Sequence, residues 1–117
     1  METDIMVKKY LHKDWLWVRP RGELDMANAA DFKFRITTAM REFGCRNLWC
    51  DFSQLTFIDS SGLGVLMSRY RELAPVSGQI IITRPTEPVY KLLLASGLHK
   101  LMEIDRPLSM KFLKEER

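Results

Sequence analysis

A chain of 117 residues with 46% hydrophobic residues can build one hydrophobic core but is too short for two ordinary domains. We therefore expect a single domain over residues 1–117. Its apolar runs fall well short of the roughly 20 residues that cross a bilayer, and no apolar segment follows the acidic N-terminus as in a secretory signal. These features argue against membrane and secreted proteins, and we expect a cytoplasmic protein without membrane contact.

The net charge of +3 comes from scattered basic residues and not from one basic run. Two tryptophans and two arginines alternate along a predicted strand and share one face, namely Trp15, Trp17, Arg19 and Arg21. Such a face can stack on bases, but a strand packed on both sides gives the same alternation, and no RNA-binding aromatic motif accompanies it. We expect no direct contact with nucleic acid.

The first third of the chain predicts a β-hairpin and a helix. Residues 5–10 and 15–21 are rich in β-favouring residues, and a polar segment at 12–14 joins them. Apolar residues then recur at helical spacing over residues 28–43, and Gly44 stands where a left-handed residue ends a helix. The apolar face of this helix consists of Phe32, Ile36, Ala39, Met40 and Phe43.

The rest of the chain alternates strands and helices. We predict strands over 47–52, 79–83 and 102–104, a loop over 53–58, and helices over 61–74, 86–97 and from 108 onward. The unbroken isoleucines of the 79–83 strand predict burial on both faces. The predicted buried helix positions are Leu63, Leu66, Met67, Tyr70 and Leu73, then Val89, Leu92 and Leu93. The pattern indicates an α/β domain with a mixed β-sheet, in which parallel strands follow the hairpin and about four helices pack against the sheet.

The turn before the helix at 61–74 carries the most distinctive chemistry of the chain. Ser60 or Ser61 is expected to be the N-cap of this helix, whose unpaired N–H groups also favour an anion. A phosphate on either serine would add a charge of about −1.5 to −2 beside Asp59. Two serines that only cap a helix give the same pattern. Gly62 is expected to let the turn pass close to neighbouring backbone, and Gly64 to let the helix approach the sheet.

Catalysis and metal binding find little support in the sequence. A nucleophilic Ser60 needs a base, and neither histidine belongs to a recognisable motif such as Gly-x-Ser-x-Gly. The Gly-x-Gly pattern after it lacks the ending of a phosphate-binding loop. The two cysteines and two histidines have no metal-ligand spacing, and Cys50 lies in an apolar run where a thiol acts as a small hydrophobe. We expect no enzymatic activity, no metal and no cofactor.

The residues from Asp51 to Tyr70 resemble the signature of the STAS domain. Within them, Asp59-Ser60-Ser61-Gly62-Leu63-Gly64-Val65 followed by Ser68-Arg69-Tyr70-Arg71 resembles the bacterial anti-sigma factor antagonists, those of sporulation most closely. A second element, Gly22-Glu23-Leu24-Asp25, is by itself a strand end and helix entry, and it also matches the family. The resemblance spans nearly the whole chain and implies a single STAS domain that acts as a switch and not as an enzyme.

The resemblance also implies partners and site residues. Unphosphorylated, the protein would bind an anti-sigma factor that is also a serine kinase with bound nucleotide, and so release the sigma factor for sporulation transcription. Phosphorylation of Ser60, or alternatively Ser61, would end the interaction, and a serine phosphatase would restore it. The implied partner-binding residues are Gly22, Glu23, Leu24, Asp25, Asp59, Ser60, Ser61, Gly62 and Leu63. Residues 26–30 depart from the polar stretch with His and Thr that is common in relatives.

Several other functions stay open from the sequence. Within the family, the alternatives are an antagonist in a general stress pathway and a subunit of a signalling scaffold. A third is a module that senses a small ligand or a nucleotide, as in STAS domains attached to anion transporters.

Overall fold

The computed structural model describes residues 4–10, as backbone, and residues 14–108. Within these ranges, six strands and three α-helices follow one another, and short 3-10 helices come after the second and third α-helix. The strands are β1 (Asp4–Tyr10), β2 (Trp15–Leu24), β3 (Asn47–Asp51), β4 (Leu55–Ile58), β5 (Ile80–Thr83) and β6 (Glu103–Ile104). The α-helices are α1 (Ala29–Phe43), α2 (Ser60–Leu73) and α3 (Glu87–Ala95), and the 3-10 helices are Ala74–Val76 and Leu98–Lys100.

The long strand β2 organises the sheet. It pairs with β1 in antiparallel orientation, which confirms the predicted hairpin. Its first residues pair with β3, and its last residues pair with β4, in both cases in parallel. Strands β5 and β6 continue the sheet beyond β3, also in parallel. The predicted mixed sheet with parallel strands after the hairpin is therefore confirmed.

Strand β4 corrects the predicted loop over residues 53–58. Its four residues do not alternate between buried and exposed positions, because Leu55 and Ile58 are buried whereas Thr56 and Phe57 are exposed. Strand β4 forms because β2 continues to Leu24 and pairs with it. This end of β2 lies three residues beyond the predicted one. The amide of Gly22 donates to the carbonyl of Gln54 at 2.9 Å, where β4 begins. A long-range pairing of this kind leaves no local pattern in the sequence.

The helices lie where they were predicted to within one or two residues at most ends, but their buried faces differ in detail. Gly44 and Gly97 have φ of 67° and 82°, as expected of residues that end a helix. Phe43, the last residue of α1, and Leu92 of α3 were predicted to be buried, yet both are exposed. The fourth predicted helix, from 108 onward, lies almost entirely outside the described residues.

The buried face of α2 is rotated from the predicted one. Leu66 and Leu73 are buried as expected, but Val65 and Arg69 join them, whereas the remaining predicted members, Leu63, Met67 and Tyr70, are half-buried against the core. Ile81 of β5 is also half-buried, so the prediction that this strand is buried on both faces is only partly correct. Cys50 lies fully in the core, as expected. None of the helices described combines the length and the apolar content that crossing a membrane requires.

An ion pair ties the ends of β3 and β5. Asp51 is buried, and its Oδ2 lies 2.6 Å from Nη2 of Arg84, while its Oδ1 accepts from the amide of Ser53 at 3.0 Å. Burial by itself would raise the pKa of Asp51, but the hydrogen bonds from Arg84 and Ser53 together outweigh it and lower that pKa. The carboxylate is thus held in its charged form at the edge of the sheet where the strands end.

We expect Asp51→Asn to lower the free energy of unfolding by about 1 kcal/mol at neutral pH, because one charge-assisted hydrogen bond to a partly exposed Arg84 is lost. The pKa of Asp51 is lower in the folded than in the unfolded chain, so its ionised form adds stability above the unfolded value of about 3.9, and this stability is lost as pH falls through the lowered folded value. Urea unfolding of both proteins at a series of pH values measures this.

The matched control for this experiment is Asp14→Asn. Asp14 pairs with Arg46 at 3.4 Å, but the side chains of Arg46 and Asp14 are 61% and 43% exposed, so little stability depends on the pair. Asparagine also tolerates the left-handed conformation of Asp14, whose φ is 60°. If the stability difference between Asp51→Asn and the original protein stayed constant down to acidic pH, the charge of Asp51 would not be its cause.

Candidate functional site

The two polar elements singled out in the sequence meet at one edge of the sheet. Strands β2 and β4 end side by side, with Glu23 opposite Phe57 and Leu24 opposite Ile58. The amide of Asp59, directly after β4, donates to the carbonyl of Leu24 at 3.1 Å. The turn formed by Asp59, Ser60 and Ser61 and the Gly22–Asp25 element therefore form one continuous surface, which is called the serine surface below.

Asp59, and not a serine, is the N-cap of α2. Its backbone is extended, and its Oδ1 accepts from the amides of Ser61 at 2.8 Å and Gly62 at 3.2 Å. The expectation that Ser60 or Ser61 caps the helix is therefore wrong. Aspartate and serine are about equally good N-caps, so their order in the sequence could not decide which of them has this role.

This cap changes what the helix terminus can offer to a phosphate. The amides of Ser61 and Gly62 are already bound by Asp59, and the amide of Leu63 donates to the carbonyl of Asp59 at 3.0 Å. The anion that the helix N-terminus favours is thus the carboxylate of Asp59 itself. A phosphate on a neighbouring serine would find these amides occupied and a negative charge beside it.

Neither serine is used as the cap, and the two differ in exposure. Ser60 is exposed as the first residue of α2, whereas Ser61 is half-buried. A kinase reaches an exposed hydroxyl without moving the backbone. Of the two serines, Ser60 is therefore the more accessible from solvent.

Gly62 is buried where α2 starts against the sheet. A Cβ atom at this position would lie 2.7 Å from Cγ1 of Ile58 and 2.8 Å from the carbonyl oxygen of Leu24. The prediction that Gly62 lets the turn pass close to neighbouring backbone is confirmed. Gly64 is exposed, and a Cβ atom added there would meet no neighbouring atom within 4 Å, so the prediction that it lets the helix approach the sheet is wrong.

The Gly22–Asp25 element continues into a turn closed by its own hydrogen bonds. Oδ1 of Asp25 accepts from the amide of Ala27 at 3.0 Å, and the amide of Asp25 donates to Oδ1 of Asn28 at 2.9 Å. Nδ2 of Asn28 also donates to the carbonyl of Glu23 at 2.7 Å. Asn28 is buried and fixes this turn, a role that no pattern in the sequence indicated.

Met26 joins this turn to the serine surface. Its amide donates to Oδ2 of Asp59 at 3.1 Å, so the two oxygens of one carboxylate hold the first turn of α2 and the turn before α1. Met26 is 81% exposed. Because the bond comes from a backbone amide, which every residue except proline carries, the residue type gave no signal of it.

The predicted partner-binding residues thus lie together at one edge of the sheet, but they differ in burial. Leu24 is fully buried and Gly62 is buried, so they support the surface from below. The serine at the start of α2 is exposed, and the remaining members are half-buried, namely Gly22, Glu23, Asp25, Asp59, Ser61 and Leu63. Only these exposed and half-buried members are accessible from solvent.

Comparisons with known proteins show to which family the chain belongs. A family model for the STAS domain matches residues 6–110. The chain belongs to the STAS domain family. It is 32% identical over 101 residues to a protein named anti-sigma F factor antagonist of Paenibacillus polymyxa, with 86% of each chain covered.

Solved structures show the same STAS fold. The structure of the Bacillus cell fate determinant SpoIIAA in its phosphorylated form matches with a TM-score of 0.67 at 26% identity, covering 97% of this chain and 100% of that one. An anti-sigma factor antagonist from Mycobacterium paratuberculosis matches with a TM-score of 0.74 at 20% identity, covering 99% and 96%. The STAS resemblance is therefore confirmed, and the family is one of regulatory binding proteins and not of enzymes.

Proposed function

We propose that this STAS domain is an anti-sigma factor antagonist whose switch residue is Ser60. Unphosphorylated, it binds an anti-sigma factor that is also a serine kinase carrying a nucleotide, and so frees a sigma factor of sporulation transcription in the cytoplasm. The kinase ends the interaction by phosphorylating Ser60, and a serine phosphatase restores it. The observation that carries the proposal is the exposed Ser60 on the serine surface, beside a carboxylate that already occupies the helix amides.

The similar proteins support the proposal in two ways. The Paenibacillus polymyxa relative is named an anti-sigma F factor antagonist, and it matches over most of both chains. SpoIIAA, which shares the fold at 26% identity, has been solved in a phosphorylated form. An antagonist function with a phosphorylated state is therefore present among proteins that this chain resembles.

The geometry supplies a physical reason for a switch at Ser60. A phosphate adds a charge of about −1.5 to −2 and three acceptor oxygens. Because Asp59 holds the amides of Ser61 and Gly62, a phosphate on Ser60 finds these two amides occupied and is repelled by Asp59. We expect it to project outward from the serine surface. A partner that fits the bare hydroxyl has to accommodate this volume and charge, which weakens the complex.

Mass spectrometry of intact protein and of its peptides tests the proposal. The protein, Ser60→Ala and Ser61→Ala are each incubated with ATP and the anti-sigma kinases of the source organism. We expect a single phosphate on the original protein and on Ser61→Ala, and none on Ser60→Ala, since only Ser60 is exposed at the start of α2. The same proteins are then compared in binding to the kinase before and after ATP is added.

Two results would contradict the proposal. A phosphate that persists in Ser60→Ala and disappears in Ser61→Ala would keep the switch but assign it to Ser61. No phosphate and no binding with any anti-sigma kinase, each shown to be active on another antagonist, would remove the proposed function. Ser60→Asp serves as a further control and is expected to bind the kinase more weakly than Ser60→Ala, because a carboxylate supplies part of the charge of a phosphate.

A further inference from the structure

We infer that Met26 inserts its side chain into an apolar pocket of the anti-sigma factor and supplies a main part of the affinity for it. The inference rests on the proposed function and adds a contact residue to it.

The exposure of Met26 is the first observation behind the inference. At 81%, Met26 is the most exposed of the large apolar residues in the described part of the chain. A methionine is flexible and polarizable, so it fills irregular pockets well. Its transfer from water into a pocket gains affinity of about tenfold or more.

The backbone that carries Met26 is fixed, so its exposure is not that of a loose loop. Its amide is bound to Asp59, and the next amide, of Ala27, is bound to Asp25. The amide of Asn28 donates to the carbonyl of Asp25 at 3.1 Å and completes the turn. A side chain on a fixed backbone loses less conformational freedom on binding, so the turn presents Met26 ready for contact.

The position of Met26 indicates that the anti-sigma factor is the partner that contacts it. One carboxylate, that of Asp59, binds the amide of Met26 through Oδ2 and the first turn of α2 through Oδ1. A kinase that transfers phosphate to Ser60 must bring its active site onto the first turn of α2. We expect the protein surface around that active site to cover Met26 as well. The phosphoacceptor and the apolar side chain are therefore reached by the same partner.

The charges around Met26 argue against two other binding partners, a second copy of this chain and a membrane surface. Asp25 and Asp59 flank it, and among the described residues neither forms an ion pair. A second copy of this chain docked through the same surface would bring these carboxylates face to face with their equivalents, which repels. A membrane surface rich in anionic lipid is disfavoured for the same reason.

Binding measurements on the full chain test the inference. Dissociation constants are determined for each purified anti-sigma factor of the source organism with the original protein, Met26→Ala, Met26→Leu and Val76→Ala. We expect Met26→Ala to weaken the tightest complex about tenfold, while Met26→Leu, which keeps the apolar volume, stays within about threefold. Val76 is 53% exposed and lies beyond the far end of α2, a helix about 20 Å long that begins at Ser60. Val76→Ala should therefore bind like the original protein.

The outcomes separate this inference from the proposed function. If the original protein binds and is phosphorylated on Ser60 while Met26→Ala binds equally well, the inference is overturned and the function stands. If the original protein binds none of the anti-sigma factors, both are overturned. An equal loss of affinity in Met26→Ala and Val76→Ala would show a general effect of lost apolar surface and would also overturn the inference. Thermal unfolding of each variant verifies that the fold is kept.

Discussion

Gly62→Ala is expected to destabilise the domain by about 2 kcal/mol, whereas Gly64→Ala, two residues later in the same helix, is expected to stabilise it by up to about 1 kcal/mol. At position 62 the added methyl group would meet Ile58 and Leu24 at less than 3.0 Å, and such overpacking costs about 1–3 kcal/mol. One of the atoms it meets is a backbone carbonyl oxygen, which cannot turn aside as a side chain can. At position 64 nothing lies within 4 Å, so only the higher helix propensity of alanine remains.

Thermal and urea unfolding of the two variants measure this difference. For a domain of this size, about 2 kcal/mol corresponds to a melting temperature roughly 8 °C lower. Gly78→Ala is a control for position, since its methyl group would meet the carbonyl oxygen of Arg46 and Cβ of Leu73 beyond the other end of α2. It should destabilise the fold without altering the serine surface. Equal melting temperatures for Gly62→Ala and Gly64→Ala would show that α2 can shift away from the sheet at little cost.

The elements that the sequence predicted well are those with a local signal. The hairpin, α1 and the end of α3 follow from apolar spacing and from glycines that adopt positive φ, here Gly44 and Gly97. Each of these signals lies within a few residues of the feature that it predicts. The meeting of the two polar elements, by contrast, came from resemblance to the STAS family, because no local pattern indicates that Leu24 and Ile58 pair.

The features that the sequence did not predict depend on contacts between distant segments. Strand β4 exists because β2 extends to meet it, and Met26 is held by a carboxylate 33 residues away. The rotated face of α2 has a different cause. Arg69 is buried, with Nη2 2.7 Å from Oε2 of Glu72. A charged residue is rarely buried, so the sequence pattern predicts a neighbouring apolar stripe of the same helix.

Asp59→Ala is expected to lower the free energy of unfolding by about 2 kcal/mol, near the upper end of the cost of losing an N-cap. The variant removes the acceptor of the Ser61 and Gly62 amides and also that of Met26. Asp59→Asn is the matched comparison, because asparagine is about as good an N-cap as aspartate. Its Oδ1 retains the helix amides, but its NH₂ group replaces Oδ2 and faces the amide of Met26, donor against donor. We expect its stability loss to be below about 1 kcal/mol.

Amide hydrogen exchange distinguishes the two roles of this carboxylate. In Asp59→Ala, the amides of Ser61, Gly62 and Met26 should all exchange faster, whereas in Asp59→Asn the increase should be confined to Met26. Asp59→Asn also removes the negative charge beside Ser60, so phosphorylation of Ser60 should destabilise this variant less than it destabilises the original protein. If phosphorylation had the same effect on the stability of both, repulsion by Asp59 would not contribute to the switch. Asp59 would then act only as a cap and as the anchor of the Met26 turn.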